Sequence, residues 1–469
     1  MTKKQNLKTT VLQGSIYLTI RQLIGVLVSL ISVLVIARTL GPEKYGVLAV
    51  ATSVLFFIFW TGKLGLEVYL IREPELPKDA PEQILMLFNI IGATLCILLW
   101  LAAHIYGMRT NDSSVAQVLK WLVPAVWLEM VSSISIAMME RELRFAQVGL
   151  IETIAQVANY LISVPLVLMN WGYWGPIAGL ILQYTLLSVM AYYCYPVRWH
   201  CQWQWKFIRS ALRSSLAYSG ANFIGSAKSL TLPLFVSPLA GLEAVGIISI
   251  AIRFSEQLGI LRTVITRLSI STLAKLAGNP ESTRRAISRG IVYQGLLVGP
   301  IYAVFCCCGA WVIPLFFGKD WLPSIQVFSL VAFAALVDTV FNLHLSALYV
   351  AAHNRDVAVF KLWHIGIFWL GCWILLPIFG EWAYGIAEII DLVSYVLIHR
   401  SLVKLCGVPD YKDAFWLIAA TAPSLFLGPW LPPVVGLSIL VCCYGLLLLL
   451  MPTIRGIPSE LYSAWQAPR

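Results

Sequence analysis

Residues 36–50 read I-A-R-T-L-G-P-E-K-Y-G-V-L-A-V. They end one long apolar run and begin another. Gly41 followed by Pro42 is a helix stop. Glu43 then falls in the first turn of the next helix, where a carboxylate suits the helix dipole. The pattern returns 200 residues on: residues 238–251 read P-L-A-G-L-E-A-V-G-I-I-S-I-A, and Glu43-x-x-Gly46 falls on Glu243-x-x-Gly246. E-x-x-G alone carries no information. Two copies in matching turns between apolar runs predict a duplicated unit.

Composition sets the solvent. The chain has 469 residues, 59% hydrophobic and 12% charged, with mean hydropathy +0.80. A soluble domain carries about 25% charged residues. Most of the mass lies in apolar runs of roughly 20 residues, each able to cross a bilayer as a helix. The alternating ten-residue segments of a membrane barrel do not occur. The run from Gly14 to Ile36 is too long for a signal-peptide core and reads as a first retained helix. The net charge of +10 is scattered over short loops, which does not point to nucleic acid. Most of the ten cysteines lie inside apolar runs, none as C-x-x-C, and read as buried free thiols.

The fold class is all-α, a polytopic membrane protein of about fourteen transmembrane helices. The spans fall near 14–36, 44–66, 83–105, 117–138, 146–169, 173–195, 214–236, 244–264, 287–310, 323–350, 358–379, 383–401, 413–430 and 433–451. With a cytoplasmic N-terminus, the inside segments hold 23 Lys and Arg. The outside segments hold five: Arg38, Lys44, Arg109, Lys120 and Lys319. That asymmetry places both termini in the cytoplasm. Residues 170–181 resemble 380–390, and the turn with Arg144 has a counterpart with Arg355, each pair 209 to 211 positions apart. An even number of spans separates each pair, so the repeats share one orientation. The division expected is an N-terminal lobe at 1–196, a cytoplasmic amphipathic linker at 197–213, a C-terminal lobe at 214–404, and two extra helices with a tail at 405–469. The linker mixes Trp with cations, as an interfacial helix does.

Fourteen spans, a six-plus-six duplication and the turn A-R-T-L-G-P-E-K-Y-G resemble the multidrug/oligosaccharidyl-lipid/polysaccharide exporter superfamily, in particular its bacterial polysaccharide and O-antigen flippases. The resemblance implies two six-helix lobes that alternate between facing in and facing out. It implies an undecaprenyl-pyrophosphate-linked oligosaccharide as cargo, in the bacterial inner membrane. The partners implied are membrane lipids, a separate polysaccharide polymerase and chain-length proteins. Lipid II flippases and multidrug exporters share the fold, so the fold alone does not choose the cargo.

A charge in the hydrocarbon region costs about 2.5–3.5 kcal/mol on insertion scales, so intramembrane charges face a cavity or a partner. Span 1 carries Arg21. Span 4 carries Glu129 near its middle. Span 5 carries Glu152, Gln156 and Asn159, and span 10 carries Asp338, Asn342 and Ser346. Span 7 holds Asn222 and Lys228, span 8 Arg253 and Glu256, span 11 Lys361 and His364, and span 12 Glu388 and Asp391. One reading is a hydrated cavity between the lobes, lined by amides, hydroxyls and both signs of charge. The other is that these groups pair with one another and fix helix register, as Arg253 and Glu256 at i, i+3 could.

If the cargo carries a pyrophosphate, Arg21, Arg253 and Lys228 are the candidate cations. Arg21 and Arg253 rank above Lys228, which lies about 240° around its helix from Asn222. Gln156, Asn159 and Asn342 are candidates for the sugars. Glu129, Asp338 and Asp391 are candidates for ion coupling. There is no Walker A motif, and the six histidines are scattered without metal-ligand spacing. No cofactor is expected. The alternatives are a cation-coupled multidrug or small-solute exporter of the same fold, and a membrane glycosyltransferase or polymerase. The isolated acids of the outside segments disfavour the enzyme.

Overall fold

The computed structural model describes residues 2–109, 113–199, 203–259, 273–276 and 278–451. Of residues 2–24, 26, 27, 109, 217–219, 221 and 222 it describes the backbone alone. The described residues form helices and connecting turns, with no strand. In chain order the helices are α1 Thr2–Gly62, α2 Leu66–Arg72, α3 Ala80–Arg109, α4 Ser114–Trp121, α5 Val123–Arg141, α6 Phe145–Leu168, α7 Trp174–Cys194, α8 Trp205–Ser226 and α9 Ser237–Leu258. There follow α10 Pro280–Phe316, α11 Pro323–Val350, α12 Asn354–Phe379, α13 Trp382–Asp391, α14 Tyr395–Cys406, α15 Lys412–Leu427 and α16 Pro433–Leu450.

The opening motif is a one-residue break. Helix α1 is interrupted only at Gly41, with φ 72° and ψ 171°, and α9 only at Gly241, with φ 85° and ψ 174°. That region of backbone space is open essentially to glycine alone. Each break turns an outgoing helix into the next one without a loop. Among the described residues, ten helices are long and apolar enough to cross a membrane, and two of them, Val28–Gly62 and Phe223–Leu258, contain such a break. Together with the α13–α14 stretch and the 16-residue α15, the total fits fourteen crossings.

Other turns repeat as well. Leu143 and Ala352 both take positive φ, at 60° and 61°, and so do Asn170 and Gly380, at 66° and 55°. After α5 the amide of Arg144 returns to Met139 O at 2.9 Å, and after α11 that of His353 returns to Leu348 O at 2.9 Å. Both are six-residue closures that satisfy carbonyls at a helix end. A non-glycine residue in this region costs about 1–2 kcal/mol. Its recurrence at the same spacing marks the two halves as copies.

The chain forms two compact units, Met1–Pro238 and Leu239–Arg469. In the first, Leu66, Leu70, Ile84, Phe88, Met130 and Ile134 form a core between α2, α3 and α5. Ile208 and Ala211 of α8 join it, and Phe207 meets Tyr69 edge-on at 6.2 Å. The cations of 205–213 face outward while this apolar face seals the first unit, so α8 packs with the N-terminal helices. Trp199, Trp203 and Trp205 remain exposed. A second core joins Met139, Val148, Ile151, Ala155 and Leu187.

In the second unit, Phe254 of α9 lies against Phe305, Phe317 and Phe328. Leu343, Ala347, Leu402, Cys406 and Ala414 join α11, α14 and α15. Helices α15 and α16 pack on α10 through small residues. A side chain at Gly428 would meet the Cys307 backbone nitrogen at 3.0 Å, and one at Gly436 would meet Cys307 Sγ at 2.8 Å. Close approach through glycine is how helices pack where lipid removes the hydrophobic drive. Cys306, Cys307, Cys372 and Cys406 are buried free thiols, while Cys194 and Cys442 are free and exposed. The uncovered helix faces carry Ile97, Leu98, Trp311, Leu370 and Trp373, an apolar surface matched to lipid.

Candidate functional site

The first unit concentrates charge where α1 ends. The chain leaves α1 at Gly62, turns through Leu64 and Gly65 at positive φ, and starts α2 at Leu66. Lys63 occupies that turn. Its Nζ lies 2.8 Å from Glu67 Oε1 and 2.8 Å from Glu129 Oε1. The Lys63 and Glu129 side chains are 21% and 14% exposed, so water screens this pair little. Glu129 therefore has a fixed cation, and Tyr184 of α7 lies within electrostatic reach of both. Below this triad, Arg141 Nη1 donates to Leu70 O and Glu73 O, each at 2.7 Å, closing the C-terminus of α2.

The amides of α6 are packed groups. Asn159 Nδ2 donates to Gln183 Oε1 at 2.7 Å, and Ser163 Oγ donates to Asn159 Oδ1 at 2.6 Å. Asn159 is buried and holds α6 to α7. Gln156 is half-buried and points toward Gly25 of α1. Ser29 and Tyr160 share a hydrogen bond of 2.9 Å between the same two helices. Arg21 lies on α1, with its side chain outside the described residues.

Two transmembrane stretches lose regular helix beside a candidate charge. Lys228 sits in a 3-10 turn, Ala227–Leu230, followed by a π-helical turn, Leu232–Val236. Asp391 ends α13, and a 3-10 turn, Leu392–Ser394, leads into α14. Interrupted membrane helices recur at transporter binding sites because they free backbone groups and re-aim side chains. Lys228 is half-buried and belongs to the first unit. Arg253 and Glu256 of α9 belong to the second unit and are exposed. Counting along the helices from the turn at Gly241, Lys228 and Arg253 each lie about 18–20 Å from it, a turn of helix farther than span ends at 236 and 244 imply.

The second unit gathers the remaining candidates. Asp338 of α11 accepts a hydrogen bond from Tyr395 Oη of α14. Asp391 is 1% exposed, with His364 Nε2 of α12 at 3.5 Å from its Oδ2. His364 Nδ1 pairs with Ser394 Oγ at 3.0 Å. The rings of Phe341 and Tyr395 stack at 4.5 Å, and those of His364 and Tyr395 lie 5.6 Å apart. Toward the other end of α11, Tyr411 Oη bonds His344 Nε2 at 2.6 Å and His399 Nδ1 at 2.9 Å. Histidines scattered in the chain thus meet in space, although among the described residues no group of three ligand-type side chains could hold a metal ion. Asn342 is half-buried, and its carbonyl accepts from Ser346 Oγ at 3.0 Å.

Sequence reasoning missed Lys63, Tyr395 and Tyr411. Lys63 is one lysine in a turn, and the tyrosines are ordinary residues of aromatic-rich helices. Glu129 and Asp338 stand 209 positions apart, the interval that relates Leu143 to Ala352. The two carboxylates hold equivalent positions in the two units and have unlike partners, a lysine in one and a phenol in the other.

Comparisons with known proteins follow this architecture. A family model described as polysaccharide biosynthesis protein matches residues 35–326. The chain is 21% identical to the lipopolysaccharide biosynthesis protein WzxC of Escherichia coli (strain K12), over 94% of this chain and 88% of that one. It is 21% identical to the succinoglycan biosynthesis transport protein ExoT of Rhizobium meliloti (strain 1021), over 64% of this chain and 61% of that one. Among solved structures, the lipid II flippase MurJ in an inward closed conformation matches with a TM-score of 0.66 at 13% identity, covering 92% of this chain and 98% of that one. An inward-facing multidrug resistance MATE family transporter of the MOP superfamily matches with a TM-score of 0.62 at 14% identity, covering 81% and 95%. These structural likenesses show the fold.

Proposed function

This chain belongs to the polysaccharide biosynthesis protein family, and from that premise we propose that it flips an undecaprenyl-pyrophosphate-linked oligosaccharide across the bacterial inner membrane by alternating access. It is a multi-pass membrane protein with the MurJ- and MATE-like transporter fold, and its relatives are transporters rather than enzymes. The observation that carries the reading is extent. The likeness to WzxC runs along nearly the whole of both chains, so it concerns a complete transport domain and not one motif.

Arg253 supports the cargo assignment. It is exposed on α9. Its planar fork matches two phosphate oxygens. Arg21 and Lys228 are the further cations of this reading. Gln156 and Asn342, each half-buried, are its candidates for sugar hydroxyls.

Deleting the gene is expected to abolish surface polysaccharide and leave its lipid-linked precursor on the cytoplasmic side, with drug susceptibility unchanged. Arg253→Ala is expected to abolish export at unchanged protein level, and Arg253→Lys to restore it in part. Normal export by both variants would make Arg253 a packing residue. Lost drug resistance with normal polysaccharide would favour the small-solute exporter.

A further inference from the structure

We propose that the second unit carries the coupling ion, a proton, on the His364–Asp391 pair, with Tyr395 and Asp338 as positioning residues. The inference rests on the reading of the chain as a transporter.

Three observations carry it. The first is the pair itself. Asp391 is 1% exposed and His364 18% exposed, with His364 Nε2 3.5 Å from Asp391 Oδ2. Ser394 fixes the imidazole through its other nitrogen. Counting about 1.5 Å per residue, His364 lies about 9 Å inside the span that begins at 358. Imidazole is the side chain whose ordinary titration falls between pH 5 and 8. A proton added at His364 Nε2 turns a neutral ring beside a carboxylate into an imidazolium–carboxylate pair. The charge of the site then goes from −1 to zero, and release reverses it. No other bond forms or breaks.

The second is the backbone. The α-helix gives way to a 3-10 turn immediately after Asp391, and that turn contains Ser394 and leads into Tyr395. One irregular turn therefore carries or adjoins the carboxylate, the hydroxyl that holds the imidazole and the phenol that holds Asp338. A change of charge at Asp391 acts directly on the joint between α13 and α14.

The third is the contrast between the repeats. In the first unit the carboxylate equivalent to Asp338, Glu129, is tied to Lys63 at 2.8 Å, and a lysine partner keeps its proton at neutral pH. At the 210-residue interval that relates Asn170 to Gly380, His364 and Asp391 fall on Ile154 and Ile181. The duplicated scaffold therefore does not require the pair. The other charged groups nearby are Asp338 from α11, Lys361 one turn before His364, and Glu388 one turn before Asp391, bonded by Tyr384. An imidazole set on the carboxylate suits a proton and not sodium, a hard cation that prefers oxygen ligands.

The test uses the full-length protein in detergent, with its histidines labelled with nitrogen-15, and NMR spectra from pH 5 to 8. One titrating imidazole signal of the wild type is expected to be missing in His364→Gln, with His364→Asn serving if that variant does not accumulate. In Asp391→Asn its midpoint is expected to fall by about one unit or more, because the counter-charge is gone. Tyr395→Phe is expected to shift it less. In cells, His364→Gln and Asp391→Asn are expected to lower surface polysaccharide about tenfold, the effect of about 1.4 kcal/mol, and to flatten its pH dependence. If the deletion strain still exports, the transporter reading fails. If the deletion abolishes export and His364→Gln restores it fully, the reading stands and the proton site falls. A His364 signal that responds to sodium chloride at constant pH, or no titrating signal lost in His364→Gln, also overturns the proposal.

Discussion

Lys63 holds two carboxylates from a turn of four residues, and its neighbours show how far a residue can be read alone. Glu129 is conspicuous because a charge in mid-membrane is costly wherever it occurs. Its partner lies 66 positions earlier in a turn, and only folding brings them together at 2.8 Å. Tyr395 and Asp338 are separated by 57 positions. Position along a helix reveals the costly group, whereas its relief is a tertiary contact. Asn159 shows the converse. Its i, i+3 relation to Gln156 suggested one lining, yet it is buried against Gln183 and Ser163, as a locking amide is. Replacing Lys63 by Met leaves Glu67 and Glu129 facing each other. Breaking a buried pair in this way costs about 3–5 kcal/mol. The Lys63→Met protein is therefore expected to accumulate poorly and to melt earlier in detergent. Lys63→Met combined with Glu129→Leu is expected to regain much of that loss, as measured by fluorescence-detected unfolding.

At the scale of elements, the breaks were more legible than the contacts. Gly-Pro and the E-x-x-G pattern mark the turns at Gly41 and Gly241 because few residues tolerate positive φ with extended ψ. Replacing either glycine by alanine is expected to cost about 1–3 kcal/mol, by similar amounts at the two sites, since neither meets a neighbour within 4 Å. Unequal losses in thermal unfolding would argue against equivalent turns. Gly179 is different. A side chain there would meet the Asn159 carbonyl at 2.7 Å, so Gly179→Ala must push α7 from α6. The expected cost is about 1–3 kcal/mol of overpacking, seen as a lower melting temperature with the Gly41 and Gly241 turns intact. Nothing local in the sequence forecasts the 3-10 turn after Asp391, whereas the π turn after Lys228 contains Pro233, which cannot donate a helical hydrogen bond.

The whole molecule reads as two copies of one plan, and the positive-φ turns at 143 and 352 and at 170 and 380 carry that plan in the backbone. Periodicity and span length suffice for this because lipid leaves a chain few choices. Orientation is a separate expectation that rests on the Lys and Arg distribution. With the native cysteines replaced, Lys8→Cys and Pro409→Cys are expected to resist an impermeant thiol reagent added to intact cells, and Asp112→Cys to react. Labelling at position 8 from outside would invert the topology.

The one-residue breaks at Gly41 and Gly241 have a consequence for how the protein is met from outside the cell. On the face where that topology puts them, the chain passes from one helix to the next without leaving the bilayer for more than a residue. A protease needs several residues of extended chain, and an antibody needs a protruding epitope. Trypsin added to spheroplasts is expected to leave the chain uncut at Arg38 and Lys44, on either side of Gly41, while inverted membrane vesicles lose the protein to cuts in the basic segments of the opposite face.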